Sequence, residues 1–175
     1  LPEGKMSSRT GNIVTFESFL NQVENLIKEK IQDKDLSEIE KKEIIEKVAI
    51  GALKYLILRQ SIGSDIIYDS EKSISFEGDS GPYLQYSYAR AISVLRKAKA
   101  EKIKAFFKNV PNEISQLEKY MIYFPEVIEK AGKEHEPHFI VLYLTELARE
   151  FNNYYTNNKI VNKTDEFSPY KVALT

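Results

Sequence analysis

Apolar residues recur at helical spacing along nearly all of this chain, and few turn formers interrupt them. Phe16, Phe19, Leu20, Val23, Leu26, Ile27 and Ile31 follow in steps of one, three and four, so they share one face of a helix running to about Asp33, with Thr15 at its N-cap. Ser37 with Glu40 three residues on is a capping box. Behind it Ile44, Ile45, Val48, Ala49, Ala52, Leu53 and Leu56 carry a second stripe toward Arg59. Seven glycines and six prolines in 175 residues are too few for a sandwich or barrel dense in turns. The expectation is an all-α fold, and 42% apolar content suffices for a core.

Further along, Asp65 to Ser75 reads as extended or irregular. The stretch FEGDSGPYLQYSYAR, Phe76 to Arg90, reads as a structured loop feeding a helix from about Tyr83 to Phe107, with Pro82 suited to the first turn. Asn112 is expected to cap a helix through Phe124, Pro125 to restart it, and the turn to end near Gly132. Glu136-Pro137 opens a last clear helix holding Phe139, Ile140, Tyr143, Leu144, Leu147, Ala148, Phe151 and Tyr154. The tail from Asn157 to Thr175 ends on SPYKVALT and predicts no finished element.

Composition excludes several classes of function. The longest unbroken apolar run, Phe139 to Leu144, falls far short of the ~20 residues of a membrane span, so no membrane partner is expected. With no cysteine, a disulfide framework and a thiolate metal site are out, which fits a cytoplasmic location. His135 and His138 lack a third ligand and read as a helix entry; no metal is expected. Glu77 and Asp79, beside glycines, read as caps for the helix that follows.

Net charge is −1, so any contact with nucleic acid must be local. Arg90, Arg96, Lys97, Lys99, Lys102, Lys104 and Lys108 face a single acid, Glu101, in that stretch, which is equally the signature of a solvated helix face. On the helix after Pro82, Leu84, Tyr88, Ala91, Ile92, Leu95 and Ala98 form an apolar sector. Tyr83, Tyr86, Arg90 and Lys97 fall together elsewhere. Two tyrosines and two cations on one face can stack bases and neutralise phosphates, or the rings can pack on a neighbouring helix.

Three stretches carry a family likeness. KMSSRTGN, Lys5 to Asn12, resembles the KMSKS signature loop of class I aminoacyl-tRNA synthetases. SFEGDSGPYLQYSYAR is similar to the junction segment of arginyl-tRNA synthetases, and FPEVIEKAGKEHEPHFIVLYLTELAREFNNYY to that family's helical, DALR-type anticodon-binding domain. They lie in the family's order and cover nearly the whole chain.

The resemblance implies a helical bundle of the synthetase anticodon-binding type, preceded by helices that follow the signature loop. Residues 1–75 would be the end of a catalytic domain, and 76–175 a DALR-type domain truncated at its C-terminus. It implies an arginine–tRNA ligase, which joins arginine to ATP as an adenylate and passes the arginyl group to its tRNA. The implied partners are arginine tRNA, arginine and ATP with Mg2+, and the implied state is a monomer. Lys5 is the catalytic candidate, closing on the departing pyrophosphate with Met6, Ser7, Ser8 and Arg9 as the ATP-binding loop. Ser8 stands where the usual motif has a second lysine, and Arg9 is one candidate for that charge. Carried onto this chain, the family's tRNA contacts fall on Tyr83, Tyr86 and Arg90, with Tyr155 on the last helix; Lys97 joins them from the stripe.

A HIGH-type motif and a nucleotide-binding sheet are absent from the sequence. The chain therefore reads as a C-terminal piece of a larger enzyme, expected to be inactive alone and to hold no cofactor. The alternative is a free-standing helical module that binds tRNA without catalysis, and a third is a helical interaction protein with no RNA role.

Overall fold

The computed structural model describes residues 15–66, 69–107 and 109–175, which divide into two compact units, Leu1–Gln85 and Tyr86–Thr175. The described residues form helices and no strands, as the periodicity predicts. They run α1 (Phe16–Ile31), α2 (Glu38–Leu58), α3 (Ser70–Ser73), α4 (Gly81–Ala100), α5 (Gln116–Met121), α6 (Phe124–Glu134), α7 (His138–Asn157) and α8 (Ser168–Ala173). The Lys5–Asn12 loop lies outside the described residues.

In the first unit the sequence signals act where they are written. Thr15 Oγ1 accepts from the Ser18 N–H at 3.1 Å and starts α1. Ser37 and Glu40 close the capping box of α2 reciprocally, which satisfies two N–H groups that a helix end leaves without partners. α1, α2 and α3 pack around Phe19, Val23, Ile27, Ala49, Ala52 and Ile74. α3 is a single turn, capped by Asp69, inside the segment that reads as irregular.

The start of α4 is built by two glycines with different tasks. Gly78 has φ +78°, a left-handed conformation that costs other residues energy. Gly81 instead sits where α4 meets α2: a Cβ there would lie 2.3 Å from the Gly51 carbonyl oxygen. The cap is neither Glu77 nor Asp79. Ser80, 1% exposed, accepts the Tyr83 N–H at 3.1 Å, while Asp79 pairs with Arg59 at 3.3 Å.

The second unit departs from the sequence expectation at three places. α4 ends at Ala100, not Phe107, because Lys102 turns left-handed (φ 59°), with its N–H on Lys99 O and that of Ile103 on Ala98 O. This is a Schellman stop with lysine where glycine is usual. Ser115, not Asn112, caps α5, again through a capping box with Glu118. The tail is core: Ile160, Val161, Tyr170, Val172 and Leu174 are all buried, and α8 brings the last three against Val94, Leu117 and Phe151. His135 ends α6 in a left-handed turn rather than opening a helix, whereas His138 stands at the expected helix entry, opening α7 with Nδ1 2.9 Å from Glu136 Oε2.

Candidate nucleic-acid interface

α4 turns a different side to the core from the one its apolar count suggests. Ser87, Val94 and Ala98 are buried with Ala91 half-buried beside them, whereas Tyr88 is 69% exposed and Leu95 also faces out. The buried face keeps Ala91 and Ala98 of that sector but is turned toward Ser87 and Val94, by less than the roughly 100° of one residue. The cause is polar: Ser87 is admitted to the interior because Asn152 of α7 donates its Nδ2–H to the serine hydroxyl at 2.7 Å.

That rotation aims Arg90 at α7. Its Nη1–H donates to Asn152 Oδ1 at 2.5 Å and its Nη2–H to the Tyr86 hydroxyl. The guanidinium lies over two rings at once, 4.6 Å from the centroid of Tyr86 and 4.7 Å from that of Tyr155. Each such contact contributes about 0.5–1 kcal/mol at an exposed site. Asn152 is thus shared between a buried hydroxyl and a cation, and it fixes the plane of the guanidinium between the rings. Phe151, in the core of the same helix, stands 6.4 Å from Tyr155 and backs it.

Tyr86 and Tyr155 remain 44% and 40% exposed. The result is a half-open platform of two aromatic rings bridged by a planar cation, which can accept unstacked bases on its faces and donate to base edges or phosphates. Lys97, exposed two turns further along α4, borders a groove that Tyr155 also borders. Tyr83 lies in the first unit, half-buried on the opening turn of α4. The structure therefore brings Tyr86, Arg90 and Tyr155 into contact and places Lys97 beside them. Tyr154, next to this platform in sequence, faces inward. Burial, then Glu118 and Asp165, push its phenol up to about 12.

Asn152 and Ser87 escape a sequence reading, since neither carries the charge or ring that marks a nucleic-acid surface. Lys5, Met6, Ser7, Ser8 and Arg9 lie outside the described residues. No group of three or more His, Cys, Asp or Glu that could hold a metal occurs among the described residues, and no helix there is long and apolar enough to cross a membrane.

Residues 84–174, which take in nearly all of the second unit and the whole platform, match the family described as the DALR anticodon binding domain. The chain belongs to that family. Within this DALR domain the platform is formed by the helix that opens the match and the helix before its final segment. Curated relatives agree over a longer span. The arginine–tRNA ligase of Thermococcus kodakarensis is 38% identical over 99% of this chain, and that of Clostridium perfringens 37% identical over 93%. Each match takes up 29% of the relative, so the chain spans less than a third of the length of these proteins. Among solved structures, Thermus thermophilus arginyl-tRNA synthetase superposes with a TM-score of 0.76 at 26% identity, over 98% of this chain and 30% of the synthetase.

Proposed function

We propose that this chain is the tRNA-binding part of an arginine–tRNA ligase, and that the Tyr86–Arg90–Tyr155 platform receives bases of the anticodon loop. The observation that carries the reading is the guanidinium of Arg90 held between two half-exposed tyrosine rings inside a DALR anticodon-binding domain. Loop bases leave their own stack on binding, and rings with a fixed cation replace it at roughly 1–3 kcal/mol per base. Tyr83, one turn before Tyr86 on α4, and Lys97 extend the contact along the helix. The similarity to arginine–tRNA ligases supports the identity of the tRNA.

In the ligase as a whole, arginine is activated with ATP and Mg2+ and then transferred to the tRNA. Lys5, with Met6, Ser7, Ser8 and Arg9, closes on the β- and γ-phosphates as negative charge develops on the departing pyrophosphate. The enzyme works as a monomer in the cytoplasm.

The test is arginine tRNA binding by the chain carrying Tyr86→Ala, Arg90→Ala or Tyr155→Ala, followed by fluorescence anisotropy at fixed salt. Each substitution is expected to weaken binding roughly 5- to 150-fold. Unchanged affinity in folded variants would sink the reading and return the tyrosines to a packing role.

A further inference from the structure

Tyr155 also borders an open groove of about 230 Å³ between α4 and the segment after α7. Val94 and Ile160, both buried, form its apolar base; Lys97 stands on one side, and Asn158 and Lys159 on the other. No carboxylate lines it. Neither lysine has an ion-pair partner among the described residues, whereas nearby Lys163 is tied to Glu101 at 3.3 Å. Two uncompensated ammonium groups over an apolar strip favour an anion that brings an apolar or sugar surface with it.

The end of α7 at this groove would ordinarily repel an anion, since its last carbonyls carry partial negative charge. Here side chains at that end offset part of this charge. Of the last carbonyls, Tyr154 O accepts from Asn158 Nδ2 at 3.0 Å, and just before them Asn152 O accepts from Thr156 Oγ1 at 2.9 Å and Asn153 O from Asn157 Nδ2 at 3.0 Å. These side-chain dipoles point their positive ends at carbonyls of the closing turns and reduce the repulsion. The groove is also smaller than the roughly 300–1,000 Å³ of sites that enclose a small molecule, so it suits part of a longer chain.

We propose that this groove seats the ribose-phosphate of the nucleotide adjoining the base stacked on Tyr155, with Lys97 and Lys159 neutralising its phosphate. The proposal rests on the tRNA-binding reading above and adds Lys159 and a direction to it: the RNA strand leaves the platform along α4 toward Lys97. Continuity through Tyr155, which borders both features, is what selects a single RNA strand as the occupant.

The experiment measures arginine tRNA binding by the chain across a KCl series for wild type, Lys97→Gln, Lys159→Gln, Lys159→Arg, Arg90→Ala and Lys133→Gln. Lys133 lies on α6, paired with Glu129, and serves as the distant control. Each groove glutamine is expected to lower the slope of log affinity against log salt by about 0.7–0.9, with up to roughly tenfold loss at about 0.1 M salt. Lys159→Arg should keep the wild-type slope, and Lys133→Gln should leave it unchanged. Wild-type slopes in both groove variants, with Arg90→Ala still weakening binding, would overturn the groove alone. An equal slope loss from Lys133→Gln would mean a diffuse field and would overturn it too. No binding by wild type, or no effect of Arg90→Ala, would remove the tRNA reading and the groove with it.

Discussion

Each of the two units is stabilised internally, and by different means. In the first, α1, α2 and α3 share an apolar core, and where α2 meets the start of α4 Gly81 lets backbone approach backbone. In the second, polar groups are part of the interior: Ser87 and Asn152 join α4 to α7, Glu118 and Tyr170 join α5 to α8, and Ser168, 1% exposed, donates to Ile160 O and accepts from the Asn162 N–H. Apolar packing is tolerant of rotation and sensitive to volume, whereas hydrogen bonds fix orientation and are sensitive to loss of a partner. The platform that has to hold a cation between two rings lies in the unit built the second way.

Volume should therefore break the first unit most sharply. Gly81→Ala puts a methyl 2.3 Å from the Gly51 carbonyl oxygen and 2.9 Å from the Ala52 nitrogen, and neither backbone can yield without moving α2. A loss of about 1–3 kcal/mol or more is expected in chemical denaturation, with hydrogen exchange assigning the weakened amides to α2 and the start of α4. Gly51→Ala meets instead the end of the Gln85 side chain, 2.5 Å away, which can swing aside at the cost of its bond to Lys47 O at 3.0 Å. It should be the milder of the two. Equal effects would show that the close approach does not control the fit.

In the second unit the corresponding test removes a partner and leaves volume nearly constant. The Tyr170 hydroxyl donates to Glu118 Oε1 from a side chain that is 6% exposed. Tyr170→Phe is expected to cost on the order of 1–2 kcal/mol at neutral pH. Burial, together with the bond to Glu118, pushes the Tyr170 phenol up to about 12. A phenol raised in the folded state contributes stability that is complete below its unfolded value of about 10 and is lost as pH rises toward 12. The variant should decline less steeply than wild type across that window, with Tyr154 supplying what remains.

The carboxylates work at the other end of the scale. For Glu118, burial acts upward but is outweighed by the bonds from Ser115 and Tyr170, so its carboxyl is held low; Asp165 is held low chiefly by the Lys171 ammonium. Their contribution is complete above the ordinary unfolded values near 4 and is lost as pH falls through the lower folded ones. Thermal melts of wild type and Tyr170→Phe over both ranges check the assignment. Parallel curves at high pH would detach the tail's docking from this bond.

The same contrast explains what could be read from the sequence. Signals written within a few residues were legible: the Thr15 cap, the Ser37–Glu40 box and the apolar face of α2 all appear where spacing puts them. Signals that depend on a partner far along the chain were not. Ser87 is polar and buried only because Asn152 meets it from 65 residues away, so counting apolar residues rotated the α4 face onto Tyr88 and Leu95. Lys102 in a left-handed turn carries no glycine to announce the end of α4. The SPYKVALT tail reads as unfinished because its partners, Val94, Leu117 and Phe151, belong to α4, α5 and α7. In the candidate interface, the ring-and-cation spacing of Tyr86 and Arg90 was legible on one helix and Tyr155 through the family likeness. The residues that orient them carried no pattern of their own.

The smallest expected effect is the one that most directly probes the contrast. Besides the Gln85 bond to Lys47 O, the first unit has a charged fastening that spans a stretch of sequence, Arg59 with Asp79 at 3.3 Å, and the guanidinium also sits 5.7 Å from the Tyr55 ring centroid. It resembles the Arg90 arrangement in kind, yet the side chains of Arg59 and Asp79 are 32% and 46% exposed, so water and salt screen the pair. Arg59→Gln is accordingly expected to cost no more than about 0.5–1 kcal/mol, and the cost should shrink in high salt. Denaturation of wild type and variant at low and high ionic strength measures both. A loss well above 1.5 kcal/mol, or one that salt does not reduce, would mean that the first unit also depends on an oriented polar contact, and the division between a volume-governed and a partner-governed half of the chain would fail.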